Sequence, residues 1–167
     1  MSRYNIVLIV TGSVAAVKTF LLLKDLMKIG FPVTVVVTEA GWPFIEGDSK
    51  YKGSLRDISD LKSRALSEKS EEAVLAIAAA DAVLIAPASA DFISQIVFRD
   101  TRLGQALGDL KKPLAIAPAM NFMMWQHPAV QKNISALIVR GAVFFGPLRG
   151  AMACGDFGFG RFADSQY

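Results

Sequence analysis

The sequence predicts an α/β fold, in which an open and mostly parallel sheet carries helices on both faces. Short runs of β-branched and other apolar residues recur along the chain, as in strands that are buried on both faces. Stretches of helical length separate these runs, and glycine, proline or small polar residues mark most of the junctions. The 167 residues suit a single domain at 1–167, since about 150 residues is a typical domain length.

The first third of the chain supplies two predicted strands with a helix between them. Residues 4–10 (YNIVLIV) are apolar and rich in β-branched side chains, which favours a central strand. A Thr-Gly-Ser turn at 11–13 follows, and its serine is a good cap for the helix predicted at 14–29. Residues 32–38 (PVTVVVT) are the second strand, and 41–45 begin a further element with proline in its first turn.

The middle of the chain begins with a polar stretch and then returns to the alternating pattern. Residues 46–70 are predicted to be a solvated excursion with a short helix, the alternative being a specific binding segment. A helix rich in alanine, leucine and isoleucine at 71–80 leads to the third strand, 82–86 (AVLIA), which stops at a proline. Residues 91–98 are then predicted to be helical.

The last third of the chain again alternates strand, helix and strand, and then continues as a glycine-rich segment. Residues 113–117 (PLAIA) form the fourth predicted strand, 128–140 a helix closed by glycine, and 143–145 a short fifth strand. Residues 146–167 begin with too many glycines for regular structure and are predicted to be irregular.

Composition excludes several classes of function. The formal net charge is only +3 and is spread evenly, which does not favour a nucleic-acid partner. No apolar run reaches the ~20 residues that a membrane span needs, and the N-terminus lacks the pattern of a secretion signal. We therefore expect a cytoplasmic protein without a membrane partner. One cysteine and one histidine exclude a disulfide framework and a multi-cysteine zinc site, so no metal is predicted.

Unusual residues gather where the predicted strands end, and open α/β sheets bind ligands at that edge. The Thr-Gly-Ser turn offers backbone N–H groups at a helix N-terminus, which suits an anion, but a plain helix cap explains it equally well. Two later strands end in Ala-Pro followed by small residues. After the first, Ser89 could donate to a phosphate, and after the second, Asn121 could hold a carboxylate or an amide. The alternative is that both are ordinary strand-to-helix turns.

The glycine-rich segment 150–161 (GAMACGDFGFGR) is predicted to be a loop that folds over a ligand. It carries the one cysteine of the chain, Cys154. A lone intracellular cysteine is more often an inert thiol than a catalyst, but a position between glycines on a flexible loop favours a chemical role.

Four segments taken together resemble the FMN-containing cysteine decarboxylases. That family includes phosphopantothenoylcysteine decarboxylase of coenzyme A synthesis and the peptidyl-cysteine decarboxylases of lantibiotic maturation. The segments are Thr-Gly-Ser-Val-Ala-Ala at 11–16, Pro-Ala-Ser-Ala-Asp at 87–91, Pro-Ala-Met-Asn-Phe-Met-Met-Trp at 118–125 and Ala-Cys-Gly-x-x-Gly-x-Gly-Arg at 153–161. The last two are specific, whereas the Thr-Gly-Ser turn is common.

The resemblance implies a Rossmann-like subunit that binds FMN at a subunit interface, in homotrimers or dodecamers of trimers, and acts on a small-molecule substrate. By analogy, four residues would hold the phosphate of FMN: Gly12, Ser13, Thr38 and Ser89. Three residues would lie near the flavin ring: Phe44, Ala90 and Met120. Asn121 would contact the substrate, and Cys154 would be the acid on the loop.

The chain departs from the family pattern at one position of chemical importance. Family decarboxylases carry a histidine before the third strand, in a pattern like His-x-x-Leu-x-x-x-Ala-Asp, and that position is Ala73 here. The one histidine, His127, lies elsewhere and is expected to be a helix cap or a surface residue. Residues 98–104 also stand in place of the family's Gly-x-Ala-Asp-Asn/Asp-Leu-Leu segment, so the family's substrate contacts there do not carry over.

Taken with the resemblance, these residues favour an FMN-dependent oxidoreductase that passes a hydride from reduced FMN to a C=N or C=C bond of a small planar substrate. Dihydropterin and dihydromethanopterin reductases, which are FMN proteins similar to this family, do this. Alanine can neither take nor relay the proton that starts decarboxylation in the family, whereas Asn121, Cys154 and the flavin seat remain. NAD(P)H is a candidate electron donor. The alternative is a phosphopantothenoylcysteine or peptidyl-cysteine decarboxylase whose base comes from 46–70 or from a neighbouring subunit. A second alternative is a non-catalytic FMN-binding subunit.

Overall fold

A six-stranded parallel sheet forms the centre of the structure, a computed structural model that describes residues 4–47, 55–109 and 111–163. The order of its strands is β3-β2-β1-β4-β5-β6, and a separate antiparallel hairpin pairs β7 with β8. The strands are β1 (Ile6–Val10), β2 (Val33–Val37), β3 (Leu66–Ser67), β4 (Ala82–Ala88), β5 (Leu114–Pro118), β6 (Val143–Phe144), β7 (Leu148–Ala151) and β8 (Phe157–Arg161). The predicted α/β class with its parallel sheet is confirmed.

Helices cover both faces of this sheet, as predicted. Helices α4, α5, α6 and α8 bury apolar side chains in a first core cluster, and α1, α2 and α3 bury theirs in a second cluster on the other face. The helices are α1 (Thr19–Lys28), α2 (Trp42–Gly47), α3 (Leu55–Arg64), α4 (Glu71–Ala79), α5 (Ala90–Phe98), α6 (Arg102–Gly108), α7 (Phe122–Gln126) and α8 (Pro128–Val139). None of those in the described ranges combines the length and the hydropathy that a bilayer span would require.

Strand β1 shows how the sequence builds a core on two faces. Val7 and Ile9 belong to the first core cluster, whereas Leu8 and Val10 belong to the second. Successive side chains of a strand point to opposite faces of the sheet. An uninterrupted apolar run therefore requires cover on both faces, and all four side chains are fully buried.

The polar stretch 46–70 contains an edge strand that the sequence did not predict. Strand β3 pairs Leu66 with Val36 of β2, and α3 is the short helix that was expected before it. A strand of two residues shows no alternation of side chains, so its pattern cannot be recognised. Residues 48–54 of the predicted excursion lie outside the described residues.

Three helical segments differ from the prediction. The helix expected at 14–29 begins as a 3₁₀ turn, Val14–Lys18, and becomes α-helical at Thr19. Helices α6 and α7 were not predicted, because at 7 and 5 residues they are too short to show a helical period. Each has a polar cap, Thr101 and Asn121, whose side chain accepts a hydrogen bond from the backbone N–H three residues further on.

The glycine-rich segment after β6 forms an antiparallel hairpin, where its composition predicted irregular structure. Strands β7 and β8 pair Gly150 with Gly158 and Ala151 with Phe157. Glycine is depleted in strands because it has no side chain to pack, so composition argued against pairing. Residues 164–167 lie outside the described residues.

The direction in which strands are added reverses at β1. Strand β2 lies on one side of β1 and β4 on the other, and later strands continue outward from β4. Open α/β sheets bind ligands outside the carboxyl ends of the strands at such a reversal. We call the segments that follow β1, β2, β4 and β5 the carboxyl edge.

Candidate functional site

Thr11 joins the ends of β1 and β4 at the carboxyl edge. Its side chain is 1% exposed. The Oγ1 atom donates a hydrogen bond to the carbonyl oxygen of Pro87 at 2.8 Å and accepts one from the backbone N–H of Ser89 at 2.8 Å. One hydroxyl therefore fixes two turns of the candidate site relative to each other. Sequence reasoning placed Thr11 in a turn and missed this role, because both partners are more than 70 residues away.

The turn after β1 packs closely against the turns after β2 and β5. Ser13 Oγ accepts a hydrogen bond from the backbone N–H of Ala15 at 3.3 Å and donates to the carbonyl oxygen of Ala119 at 3.3 Å. At Gly12, an added Cβ would lie 2.7 Å from the Cβ of Ala40. Two of the predicted phosphate residues thus lie together where three strands end, and glycine permits the close approach.

Helix α5 begins where β4 ends, so its N-terminus lies at the carboxyl edge. Ser89 Oγ caps it by accepting a hydrogen bond from the backbone N–H of Phe92 at 3.2 Å. Ala90, the first residue of the helix, is 9% exposed. The N-terminus of a helix favours negative charge. The hydroxyl proton of Ser89 is not used in the cap, so it can be donated to a ligand.

Thr38 follows β2 and holds a buried hydroxyl that lacks a partner. The residue is 3% exposed, and Oγ1 has no hydrogen-bond partner within the described parts of the chain. Its backbone is satisfied, since the N–H donates to Val10 at 3.0 Å and the carbonyl oxygen accepts from Gly41 at 2.9 Å. A buried unpaired hydroxyl is unfavourable, so Oγ1 is a group that a ligand would satisfy. Phe44, in the following α2, is half-buried against the second core cluster.

The segment after β5 lies against the hairpin. The backbone N–H of Met120, which is half-buried, donates to the carbonyl oxygen of Gly160 at 3.1 Å. Asn121 is exposed and caps α7, with Oδ1 accepting from the backbone N–H of Met124 at 2.8 Å. The two N–H donors of the Asn121 amide do not take part in this cap, so they can meet an acceptor on a ligand.

Cys154 lies in the turn of the hairpin and is exposed. Its Sγ donates a hydrogen bond to Oδ2 of Asp156 at 3.4 Å. The turn is closed by hydrogen bonds from Met152 N–H to Asp156 at 2.9 Å and from Gly155 N–H to Met152 at 3.0 Å. No hydrogen bond joins Cys154 to Asn121 among the residues that the structure describes. The hairpin therefore presents a thiol that is bonded to a neighbouring carboxylate.

A charged cluster that sequence reasoning missed follows β2 and β3. Nζ of Lys69 lies 2.6 Å from Oε1 of Glu39, and Oε1 of Glu68 accepts a hydrogen bond from the Glu39 backbone N–H at 2.8 Å. The hydrogen bond to Glu39 and its negative charge raise the pKa of Lys69 above 10.5, so the ammonium group stays charged at neutral pH. Both side chains of the pair are exposed, and solvent screening makes such a pair a weak contributor to stability.

The structure shows the surroundings of the one histidine, His127, and of Ala73, the position at which family decarboxylases have a histidine. His127 is exposed and caps α8, with Nδ1 accepting a hydrogen bond from the backbone N–H of Ala129 at 3.2 Å, which confirms the predicted helix cap. Ala73 lies in the first turn of α4, is fully buried, and belongs to the first core cluster. It therefore offers no group for proton transfer.

Comparison with known protein families bears on what this edge binds. The sequence model of a family described as Flavoprotein matches residues 1–167. The chain belongs to this flavoprotein family. The predicted family resemblance is thereby confirmed.

Sequence relatives of this flavoprotein include the coenzyme A biosynthesis bifunctional protein CoaBC of Vibrio cholerae serotype O1. It is 37% identical over 159 residues, which cover 94% of this chain and 40% of that relative. CoaBC of Bacillus subtilis is 32% identical over 171 residues, which cover 99% of this chain and 41% of that relative. The flavoprotein thus spans about 40% of the length of these curated relatives.

Solved structures similar to this flavoprotein include a PPC decarboxylase, a cysteine-to-serine mutant complexed with pantothenoylaminoethenethiol. It aligns with a TM-score of 0.78 and 26% identity, over 97% of this chain and 92% of that chain. The FMN binding protein AtHal3 aligns with a TM-score of 0.76 and 26% identity, over 97% of this chain and 90% of that chain. The FMN-dependent cysteine decarboxylase SpaF shares the fold, with a TM-score of 0.75 at 24% identity over 99% of this chain and 92% of that chain. The predicted Rossmann-like fold is confirmed.

The prediction of a dihydropterin reductase is wrong. The relatives are CoaBC proteins, and the similar structures include a PPC decarboxylase. The prediction gave the single missing side chain at Ala73 more weight than the specific segments 118–125 and 153–161, which occupy the carboxyl edge and the hairpin. The same findings give no support to NAD(P)H as an electron donor.

Proposed function

We propose that this flavoprotein binds FMN and removes carbon dioxide from a cysteine whose carboxylate is free, as in phosphopantothenoylcysteine or at the C-terminus of a peptide. The observation that carries the proposal is the hydrogen bond between Met120 and Gly160, which holds the hairpin that carries Cys154 against the segment that carries Asn121. A thiol and a side-chain amide therefore belong to two segments in contact. The CoaBC relatives and the similar PPC decarboxylase support this substrate class.

The residues present at the carboxyl edge fit the phosphate of FMN. The unpaired hydroxyl of Thr38 requires an acceptor or a donor that the described chain does not supply. Ser89 can donate its hydroxyl proton from the N-terminus of α5, where negative charge is favoured. Gly12 and Ser13 lie in the adjoining turn, where backbone can approach a ligand closely. We assign the phosphate to these four residues.

The flavin ring of FMN would lie beside three residues of the same edge: Phe44, Ala90 and Met120. All three side chains are apolar, as are most residues that line sites for planar ligands, and Phe44 and Met120 remain partly exposed. FMN, if bound there, would supply the two-electron oxidation of the substrate thiol that makes loss of its carboxylate as carbon dioxide easy, and would return those two electrons as a hydride to the enethiol that remains.

The chain's own residues would bind and protonate the substrate. The free N–H donors of the Asn121 amide suit the substrate carboxylate, because amide N–H groups donate to carboxylate oxygens. Cys154 would hold a proton at Sγ and deliver it to the enethiol that remains after carbon dioxide leaves, so that this proton and the returned hydride together give the saturated thiol. The hydrogen bond from Sγ to Asp156 keeps that thiol oriented in the turn of the hairpin.

A second candidate function follows from Ala73. Family decarboxylases have a histidine at this position, whereas this chain has an alanine that is buried in the core. Loss of a general base typically lowers a rate about 10²- to 10⁴-fold. The chain would then be a subunit that contributes the FMN seat and Cys154, while a related chain contributes the group that accepts the proton.

The expected assembly is a homotrimer, or a dodecamer of trimers, with FMN at the subunit interface. Exposed apolar side chains close to the proposed site support an interface there: Val14, Met123, Phe157 and Phe159 are 47%, 73%, 67% and 48% exposed. Light scattering of the FMN-loaded protein tests the assembly. A monomeric mass at micromolar concentration would contradict it.

Two measurements test the decarboxylase. FMN is first titrated into the apoprotein while the fluorescence of the flavin is followed. The loaded protein is then given phosphopantothenoylcysteine or, separately, a peptide that ends in cysteine. Release of carbon dioxide from either substrate supports the proposal, and binding of FMN without release from either contradicts it.

The second candidate needs a mixing experiment. A PPC decarboxylase whose loop cysteine is changed to serine retains its histidine but lacks the acid. If this chain complements it, the mixture forms the saturated thiol product that neither protein forms alone. A mixture that stays inactive would exclude the subunit role.

A further inference from the structure

The inner face of the hairpin is bare of side chains along β8. Phe157 and Phe159 are exposed, and the two residues that alternate with them, Gly158 and Gly160, are buried. Successive residues of a strand point to opposite faces. Along β8, the face that contacts the segment after β5 is therefore formed by the backbone of these two glycines.

Gly158 lies directly on the aromatic ring of Phe122, the first residue of α7. An added Cβ at position 158 would lie 2.5 Å from Cδ2 of that ring, 2.9 Å from Cγ and 3.0 Å from Cε2. Carbon atoms in contact sit about 3.5–4.0 Å apart, so a single methyl group would force the hairpin and the ring apart by about 1 Å.

Gly160 makes an equally close contact one step along the strand. An added Cβ there would lie 2.2 Å from the carbonyl oxygen of Met120 and 3.1 Å from Sδ of Met152. Its φ of +137° is a backbone conformation that favours glycine. Its carbonyl oxygen accepts the Met120 hydrogen bond at 3.1 Å. The base of β8 is therefore joined to Met120 through a contact that only glycine permits.

We propose that Gly158 and Gly160 are positioning residues. They allow the hairpin to pack closely against Met120 and Phe122, and this close packing holds Cys154 at the carboxyl edge. This inference rests on the proposed function, because it assigns a purpose to the position of the thiol. The contact with Met120 lies one residue before Asn121, so a displaced hairpin separates the thiol from the amide. The two groups would then no longer meet one substrate.

The first test is a double-mutant cycle in the FMN-loaded protein. Gly158→Ala is expected to lower kcat for carbon dioxide release about 10²-fold, the effect of misplacing a catalytic group by 1 Å, while FMN affinity stays near wild type. Phe122→Ala removes the ring that the new methyl group meets. The double variant is therefore expected to regain at least about tenfold of the lost kcat, since the two changes compensate in space.

The matched control is Gly47→Ala, at the end of α2, where an added Cβ meets nothing within 4 Å. It is expected to keep the wild-type kcat. Wild-type activity of Gly158→Ala, or a double variant as slow as Gly158→Ala, would overturn the inference.

A second test requires no activity. Cys154 is the one cysteine of the chain, so a nitroxide spin label attached to it reports the hairpin alone. The spectrum is expected to be broad in the wild-type background, narrow with Gly158→Ala and broad again with Phe122→Ala added. Equal spectra in the wild type and Gly158→Ala would refute the proposal that Gly158 positions the hairpin. If the wild type released no carbon dioxide, the proposed function would fail while the spectra still decided this inference.

Discussion

Replacing Thr38 by valine removes a buried hydroxyl and nearly preserves the shape of the side chain. Oγ1 has no partner among the described residues, and burial of such a hydroxyl costs about 1–3 kcal/mol. We therefore expect the apoprotein of Thr38→Val to be as stable as the wild type or about 1 kcal/mol more stable. FMN binding should weaken instead, because a hydrogen bond to a charged phosphate contributes about 1.5–3 kcal/mol. That loss corresponds to a rise in Kd of about 10- to 150-fold.

The control is the same exchange at Thr11, which is equally buried but fully bonded. Thr11→Val loses the bond to Pro87 and leaves the N–H of Ser89 unpaired. We expect the free energy of unfolding to fall by about 2–3 kcal/mol. For a chain of this length that lowers Tm by about 2–4 °C per kcal/mol.

Urea unfolding of both apoproteins and FMN titrations by flavin fluorescence measure the two effects. The reasoning would be refuted if Thr38→Val bound FMN as tightly as the wild type while its apoprotein lost more than about 1 kcal/mol. In that case the hydroxyl would serve the fold and not a ligand.

Three further predictions concern a glycine, the thiol and an ion pair. Gly12→Ala places Cβ 2.7 Å from that of Ala40 and should cost about 1–3 kcal/mol in urea unfolding, whereas Gly47→Ala should change stability by less than about 0.5 kcal/mol. Cys154→Ser should leave the Kd for FMN unchanged and reduce the yield of saturated product by mass spectrometry; an undiminished yield would exclude Cys154 as the acid. The raised pKa of Lys69 means that, on the alkaline side, its contribution to stability is complete up to about pH 10.5 and is lost as the pH rises through the folded-state pKa. Unfolding curves of Lys69→Met measured from neutral pH upward should therefore show an altered pH dependence above pH 10.5.

Much of the candidate site could be located from the sequence because strand ends and helix caps are local features. Ser13 and Ser89 each cap a helical segment, as serine commonly does. Parallel strands then bring both to one edge. The roles of these residues toward FMN remain predictions, as does that of Asn121.

Other parts of the site could not be predicted, because they depend on distant partners. The double hydrogen bond of Thr11 and the ion pair between Glu39 and Lys69 join segments that lie 30 or more residues apart. The missing partner of Thr38 Oγ1 becomes visible only when every neighbour is in place. The error about the reaction has a different origin, since the missing side chain at Ala73 was given more weight than the specific segments 118–125 and 153–161.

The sequence alone determined the parallel α/β sheet, because an all-apolar strand such as Ile6–Val10 is stable only with cover on both faces. It also determined several helix ends, because glycine and capping side chains act on their immediate neighbours. Pro87, which was expected to stop the third strand, instead lies inside β4. Only the tertiary structure decided the short edge strand β3, the unpaired hydroxyl and the hairpin that rests on Phe122. Each of these depends on atoms that long-range packing brings within a few ångströms, and no local pattern of residue types encodes such distances.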